Sequence, residues 1–100
     1  MFGAIGHARF KPGQQARFAA LDQEWRQTIR PQIPGPFVQL VGHAAGRPNE
    51  LVFVALAQDE PTYRALAAMP AQDTHYRRLL ALLDGEVRWE DVELDLVAKD

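Results

Sequence analysis

Residues 2–10 alternate in character. Phe2, Ala4, Gly6, Ala8 and Phe10 share one phase, and Ile5, His7 and Arg9 share the other. Period two predicts a first strand, which Pro12-Gly13 ends. From Gln14 the apolar spacing changes to steps of three and four through Phe18, Leu21, Trp25 and Ile29. Arg17, Asp22, Glu24 and Arg26 lie off that stripe, so the stretch predicts a helix. Pro31, Pro34, Gly35 and Pro36 forbid further helix and supply a connection. The apolar, β-branched stretch 37–45 predicts a second strand, 46–49 (GRPN) a turn, and 50–57 (ELVFVALA) a third strand. The short link makes these two an antiparallel hairpin. Asp59-Glu60-Pro61 reads as a helix start, with an acid at the N-cap and proline in the first turn. Tyr63, Leu66 and Met69 line one face of that helix before Pro70 interrupts it. Helicity resumes through His75, Tyr76, Leu79, Leu80 and Leu83 and stops at Asp84-Gly85. Residues 87–96 predict a fourth strand whose apolar parity slips, with Val87 and Trp89 in one phase and Val92, Leu94 and Leu96 in the other. That slip predicts a bulge or two short pieces.

The order βαββαβ is that of an α+β, ferredoxin-like fold, here expected as a single domain over residues 1–100. Right-handed crossovers place strands one and three side by side, with both helices on one face of an antiparallel sheet. A sheet covered on one side should alternate apolar and polar residues. Strand three does not: Leu51, Val52, Phe53, Val54, Ala55 and Leu56 are apolar on both faces. Strand two behaves similarly through Phe37, Val38, Leu40 and Val41. The helices cover one face, so a second copy packing sheet to sheet is expected on the other, giving a homodimer.

Composition narrows the chemistry. The chain has 100 residues and a formal net charge of −2, which argues against a partner whose phosphates must be neutralised. Residues 1–48 net +4 and the remainder −6, which two differently charged faces or complementary assembly surfaces would both explain. Cysteine and serine are absent, which removes disulfides, thiolate sites and serine nucleophiles. No apolar run approaches the ~20 residues of a membrane span. The opening MFGAIGHARF lacks the layout of a signal peptide, so a cytoplasmic protein is expected, with no membrane partner. His7, His43 and His75 fall on three elements with no H-x-x-x-H spacing, so no metal site is expected. There is no phosphate-cradling glycine loop, and the central strands offer Phe53 without a second stacking aromatic. No nucleic acid is expected as a partner.

Four stretches carry a family likeness: FKPG at 10–13, FVQLVGHAAGRPNELVFVAL at 37–56, DEPTYRALAAMP at 59–70 and LLDGEVRWEDVEL at 82–94. On these, nearly the whole chain resembles the antibiotic biosynthesis monooxygenase-like superfamily of dimeric α+β barrels. The resemblance implies a pocket between helices and sheet within each subunit. The haem-degrading branch uses a helix-two histidine with an asparagine on strand one and a tryptophan on helix two. Here Gly6 stands at the asparagine position with His7 beside it, Leu66 stands at the tryptophan position, and only His75 falls near the histidine. Haem degradation is therefore not expected, and no cofactor is. The cofactor-free oxygenases hold a phenolic substrate with tryptophan, tyrosine, arginine or asparagine groups, and a base favours the reactive carbanion. By that likeness His75, Tyr76 and Arg9 are candidate catalytic groups, and Gly6, His7, Trp25, Tyr63 and Leu66 candidate pocket-lining residues. Trp25 and Tyr63 also read as core, since both sit on apolar stripes. The face of Ala4, Gly6 and Ala8 would serve either a cavity under the helices or close packing. Two functions stay open. One is a small cofactor-independent monooxygenase-like enzyme acting on a small aromatic or quinone-like molecule; the other is a non-catalytic small-molecule-binding or stress-response barrel.

Overall fold

The computed structural model describes all 100 residues. Its elements run β1 (Phe2–Arg9), α1 (Gln15–Thr28), a 3-10 turn (Arg30–Gln32), β2 (Phe37–Ala44), β3 (Arg47–Ala57), α2 (Glu60–Ala67), α3 (Pro70–Leu80) and β4 (Arg88–Glu93). The four strands form one sheet in the order β2-β3-β1-β4, antiparallel throughout, which is the ferredoxin-like α+β arrangement. Pro70 does break the second helical stretch: α2 ends at Ala67, and α3 takes the proline in its first turn, where a missing N–H costs nothing. Asp59 caps α2 by accepting a hydrogen bond from the Thr62 amide at 2.9 Å.

The pleat assigns the faces. Ala4 pairs with Ala55, Gly6 with Phe53 and Ala8 with Leu51, and all point toward the helices. Two core clusters form there. One joins Phe10, Leu51, Phe53, Leu79 and Leu83, and the other joins Trp25, Ile29, Ile33 and Leu66. Gly6 also pairs with Trp89 on β4, so Phe53, Gly6 and Trp89 make one row across three strands. The Phe53 ring lies over the glycine and meets Trp89 edge-on, with centroids 4.9 Å apart. A Cβ on Gly6 would sit 2.5 Å from Phe53 Cζ. The small residue at that point serves close packing, and the cavity opens elsewhere.

Two details differ from the sequence expectation. The hairpin turn is only Ala45-Gly46, and 47–49 belong to β3. Pro48 is tolerated because the β2–β3 register shifts between His43 and Ala44, leaving 48–50 without partners on β2. The fourth strand is one regular piece without a bulge. Trp89 faces the helices and Val92 the opposite side, while Leu94 and Leu96 lie beyond the strand's end.

Candidate functional site

Between the two core clusters the packing leaves a cavity of about 100 Å3, partly open to solvent. Its floor is the helix-facing side of the sheet: Phe37, Gln39 and Val41 of β2, Phe53 and Ala55 of β3, and Trp89 of β4. The helices supply its roof. Phe18, Asp22 and Trp25 recur at steps of four and three on α1, and Gln72, His75, Tyr76 and Leu79 at three, one and three on α3. These spacings put each set on one side of its helix. Tyr63 and Leu66 of α2 close one end.

Most of the wall is apolar, and its indole N–H groups are already spent. Trp25 Nε1 donates to Gln72 Oε1 at 2.8 Å, tying α1 to α3. Trp89 Nε1 donates to the Tyr76 hydroxyl at 2.9 Å, tying the edge strand to α3. Tyr76 and Trp89 also face each other with centroids 5.9 Å apart. The polar corner is made by Asp22, Gln39 and His75. Gln39 Nε2 donates to Asp22 Oδ1 at 3.3 Å, while Gln39 Oε1 is buried without a partner. Burial raises the Asp22 carboxyl above its ordinary value, against the opposing pull of His75 and Arg26. Burial, helped by Arg78, lowers His75, and Asp22 and Glu24 pull the other way. Burial likewise raises the Tyr63 phenol, with Asp91 adding to it. An imidazole that is neutral at neutral pH and faces a nearby carboxylate can take a proton and have the resulting charge stabilised.

Of the residues singled out from sequence, the cavity brings together His75, Tyr76, Trp25, Tyr63 and Leu66. It does not include Arg9, His7 or Gly6. Arg9 and His7 fall on the other phase of β1, away from the helices, and their surroundings are a shallow charged surface at the sheet's end. Arg9 reaches Glu50 there at 3.7 Å. Gly6 faces the helices but is roofed by Phe53. Asp22, Gln39 and Gln72 were missed, although the sequence carries a signal for each. Asp22 lies in the row Phe18, Asp22, Trp25, Ile29, and Gln39 interrupts the alternating row Phe37, Gln39, Val41. Gln72 precedes His75, Tyr76 and Leu79 by helical steps. A polar residue inside an otherwise apolar row has to be satisfied by something buried with it. No three histidine or carboxylate side chains converge as a metal site would require.

No family model and no curated protein matches the chain by sequence. Its backbone does match solved structures. A candidate antibiotic biosynthesis monooxygenase of Deinococcus radiodurans superposes with a TM-score of 0.78 at 16% identity, over 100% of this chain and 98% of that one. A candidate of the same description from Caulobacter crescentus CB15 gives 0.80 at 10% identity, over 94% and 89%. SnoaB, a cofactor-independent oxygenase from Streptomyces nogalater, gives 0.72 at 20% identity, over 97% of each chain. The chain therefore has the fold of the antibiotic biosynthesis monooxygenase-like proteins. At these identities the likeness defines the fold alone, and activity has to be argued from the cavity. No helix is long and apolar enough to cross a membrane.

Proposed function

We propose that this chain is a one-domain, cofactor-independent monooxygenase-like enzyme acting on a small aromatic molecule, and that it works as a homodimer packed through its sheet faces. The observation that carries the reading is the aromatic-walled cavity whose one polar corner holds a neutral-leaning His75 opposite Asp22. In this reading His75 removes the acidic proton of a phenol-type substrate bearing an activated ring CH2. The resulting carbanion, delocalised onto the ring oxygen, adds dioxygen: a C–O bond forms and dioxygen takes the electron pair. The proton returns from His75 to the distal oxygen to give a hydroperoxide. Loss of the remaining C–H proton and departure of the O–O oxygen as water leave a ketone. Substrate CH2 and O2 thus become C=O and H2O, and the substrate supplies all four electrons. Tyr76, fixed by Trp89, lies on the same helix to orient the ring. Dry aromatic walls strengthen the His75–Asp22 attraction once the imidazolium forms.

The dimer is supported by Leu40, 62% exposed on the face away from the helices, with Ile5, Val52 and Val54 nearby on that face. The cavity's volume of about 100 Å3 is below the ~150 Å3 of an apolar cavity that holds benzene, which favours a second reading, a non-catalytic barrel whose cavity holds at most one compact molecule. The test is a thermal-shift panel of phenols, naphthoquinones, hemin and a flavin, followed by oxygen uptake with any phenol that stabilises the fold. A ligand at a hundred times its Kd should stabilise by about 2.7 kcal/mol. Oxygen uptake that falls at least a hundredfold in His75→Ala supports the enzyme reading. Binding with no oxygen uptake leaves the non-catalytic barrel, and an unchanged rate in His75→Ala removes His75 from the chemistry.

A further inference from the structure

We infer that Gln39 is the specificity-determining residue of the cavity, selecting rings that carry a free hydroxyl over the same rings as quinones or ethers. The inference rests on the proposed reading of the cavity as an aromatic site. Two side-chain oxygens in the molecule are buried without a partner, those of Gln14 and Gln39. Gln14 sits at the start of α1, outside the cavity. Gln39 lines the cavity, on the helix-facing phase of β2 opposite Ala55.

The direction of its amide is fixed by chemistry. Asp22 offers a carboxylate, so only the NH2 end of Gln39 can face it, and Nε2 donates to Oδ1 at 3.3 Å. The carbonyl end is therefore turned away from Asp22, and it stays unpaired. The two indole N–H groups of the walls do not serve it. The Trp25 indole is engaged by Gln72 and the Trp89 indole by Tyr76. A buried acceptor that the protein itself leaves unpaired on a cavity wall is completed by a donor the ligand brings. A phenol or hydroquinone hydroxyl supplies one; a quinone carbonyl and a methyl ether supply only lone pairs. A site built to hydrogen-bond a hydroxyl rejects the analogue lacking it, because the buried partner then stays unpaired. Asp22 acts here as a positioning residue, holding the amide in its one useful orientation.

The test measures Kd by calorimetry for 4-methoxyphenol and 1,4-dimethoxybenzene, which differ by one O-methyl group, on the whole protein. The wild type is expected to bind the phenol at least tenfold more tightly. Gln39→Met keeps the length and removes the acceptor; it should weaken the phenol about tenfold, leave the diether unchanged or tighter, and bring the ratio near one. Gln39→Asn keeps the amide but withdraws it by one methylene, and it should also lower the ratio, which decides the matter if the methionine variant does not fold. A wild-type ratio that survives both substitutions overturns the role of Gln39 while leaving the aromatic site standing. Equal wild-type affinity for the two compounds overturns the selectivity in the same way. If neither compound binds the folded wild type, the proposal falls together with the reading it rests on.

Discussion

The two faces of the sheet use similar side chains under opposite conditions. Toward the helices, Leu51 is 1% exposed and Phe53 8%, and both belong to a cluster closed by Leu79 and Leu83. Their sequence neighbours Val52 and Val54 point the other way, beside Leu40, which is 62% exposed. Leu51 and Phe53 hold this chain together, because their burial is nearly complete within one copy. The outer ones add little to an isolated chain, and their apolar character gains value only when a second surface covers them. The difference teaches that a strand apolar on both faces carries two kinds of information, one about the fold and, in the proposed dimer, one about assembly.

Substituting one residue on each face is the strongest way to break that comparison. Leu51→Ala should lose about 2–5 kcal/mol in chemical denaturation, the cost of a cavity in a closed core. Leu40→Asp should leave the unfolding of an isolated chain within about 0.5 kcal/mol, yet lower the mass seen by light scattering from two copies to one. If Leu40→Asp destabilised the monomer as much as Leu51→Ala, the outer face would have cover within the chain and the contrast would collapse.

A smaller effect is expected where the inner face is tightest. Gly6→Ala places a methyl 2.5 Å from Phe53 Cζ, so the ring must move off β1 and loosen its contact with Trp89. Overpacking of this kind costs about 1–3 kcal/mol, and the tryptophan fluorescence should shift with it. An unchanged spectrum with unchanged stability would mean that Phe53 has room to spare and that the glycine is not what lets the aromatic row form.

The same two faces explain what was legible in the sequence. Element order, the break at Pro70 and the Asp59 cap depend on residues a few positions apart, so local pattern sufficed. The antiparallel hairpin was equally readable, but its turn was not. A register shift after His43 let Pro48 enter β3, and such shifts are set by pairing with β2 rather than by the turn residues. In the site, His75, Tyr76, Trp25, Tyr63 and Leu66 converge because helical spacing already put them on inward faces. Arg9 and His7 have residue types suited to a polar pocket, whereas the pleat of β1 turns them away. Asp22 reads as lying off the apolar stripe because it is charged, although its position between Phe18 and Trp25 places it inward. The carboxylate and Gln39 come together only when α1 crosses β2, a contact between residues 17 positions apart.

The smallest expected effect is a pH dependence confined to the inner face. His75 has its ordinary value of 6.5 lowered by burial first and by Arg78 second. The unfolded chain therefore binds that proton more readily than the folded one. The corresponding stability is fully present above about pH 6.5, and it is lost as pH falls through the lower folded value. Asp22 behaves oppositely. Its value is raised from 3.8 by burial, so its contribution is present below the unfolded value and lost as pH rises through the folded one. The two windows approach each other from 6.5 and 3.8, so the imidazole's share of the change between pH 7.5 and 5.5 is read as the difference between the wild type and a variant without it. The wild type should lose stability across that range, and His75→Gln, which cannot charge, should lose less. Parallel curves for the two proteins would mean that the imidazole is as well solvated in the folded chain as in the unfolded one. The same experiment with a phenol bound sharpens the result: a ring filling the cavity displaces water from around His75, so the loss on acidification should steepen in the wild type and not in the variant.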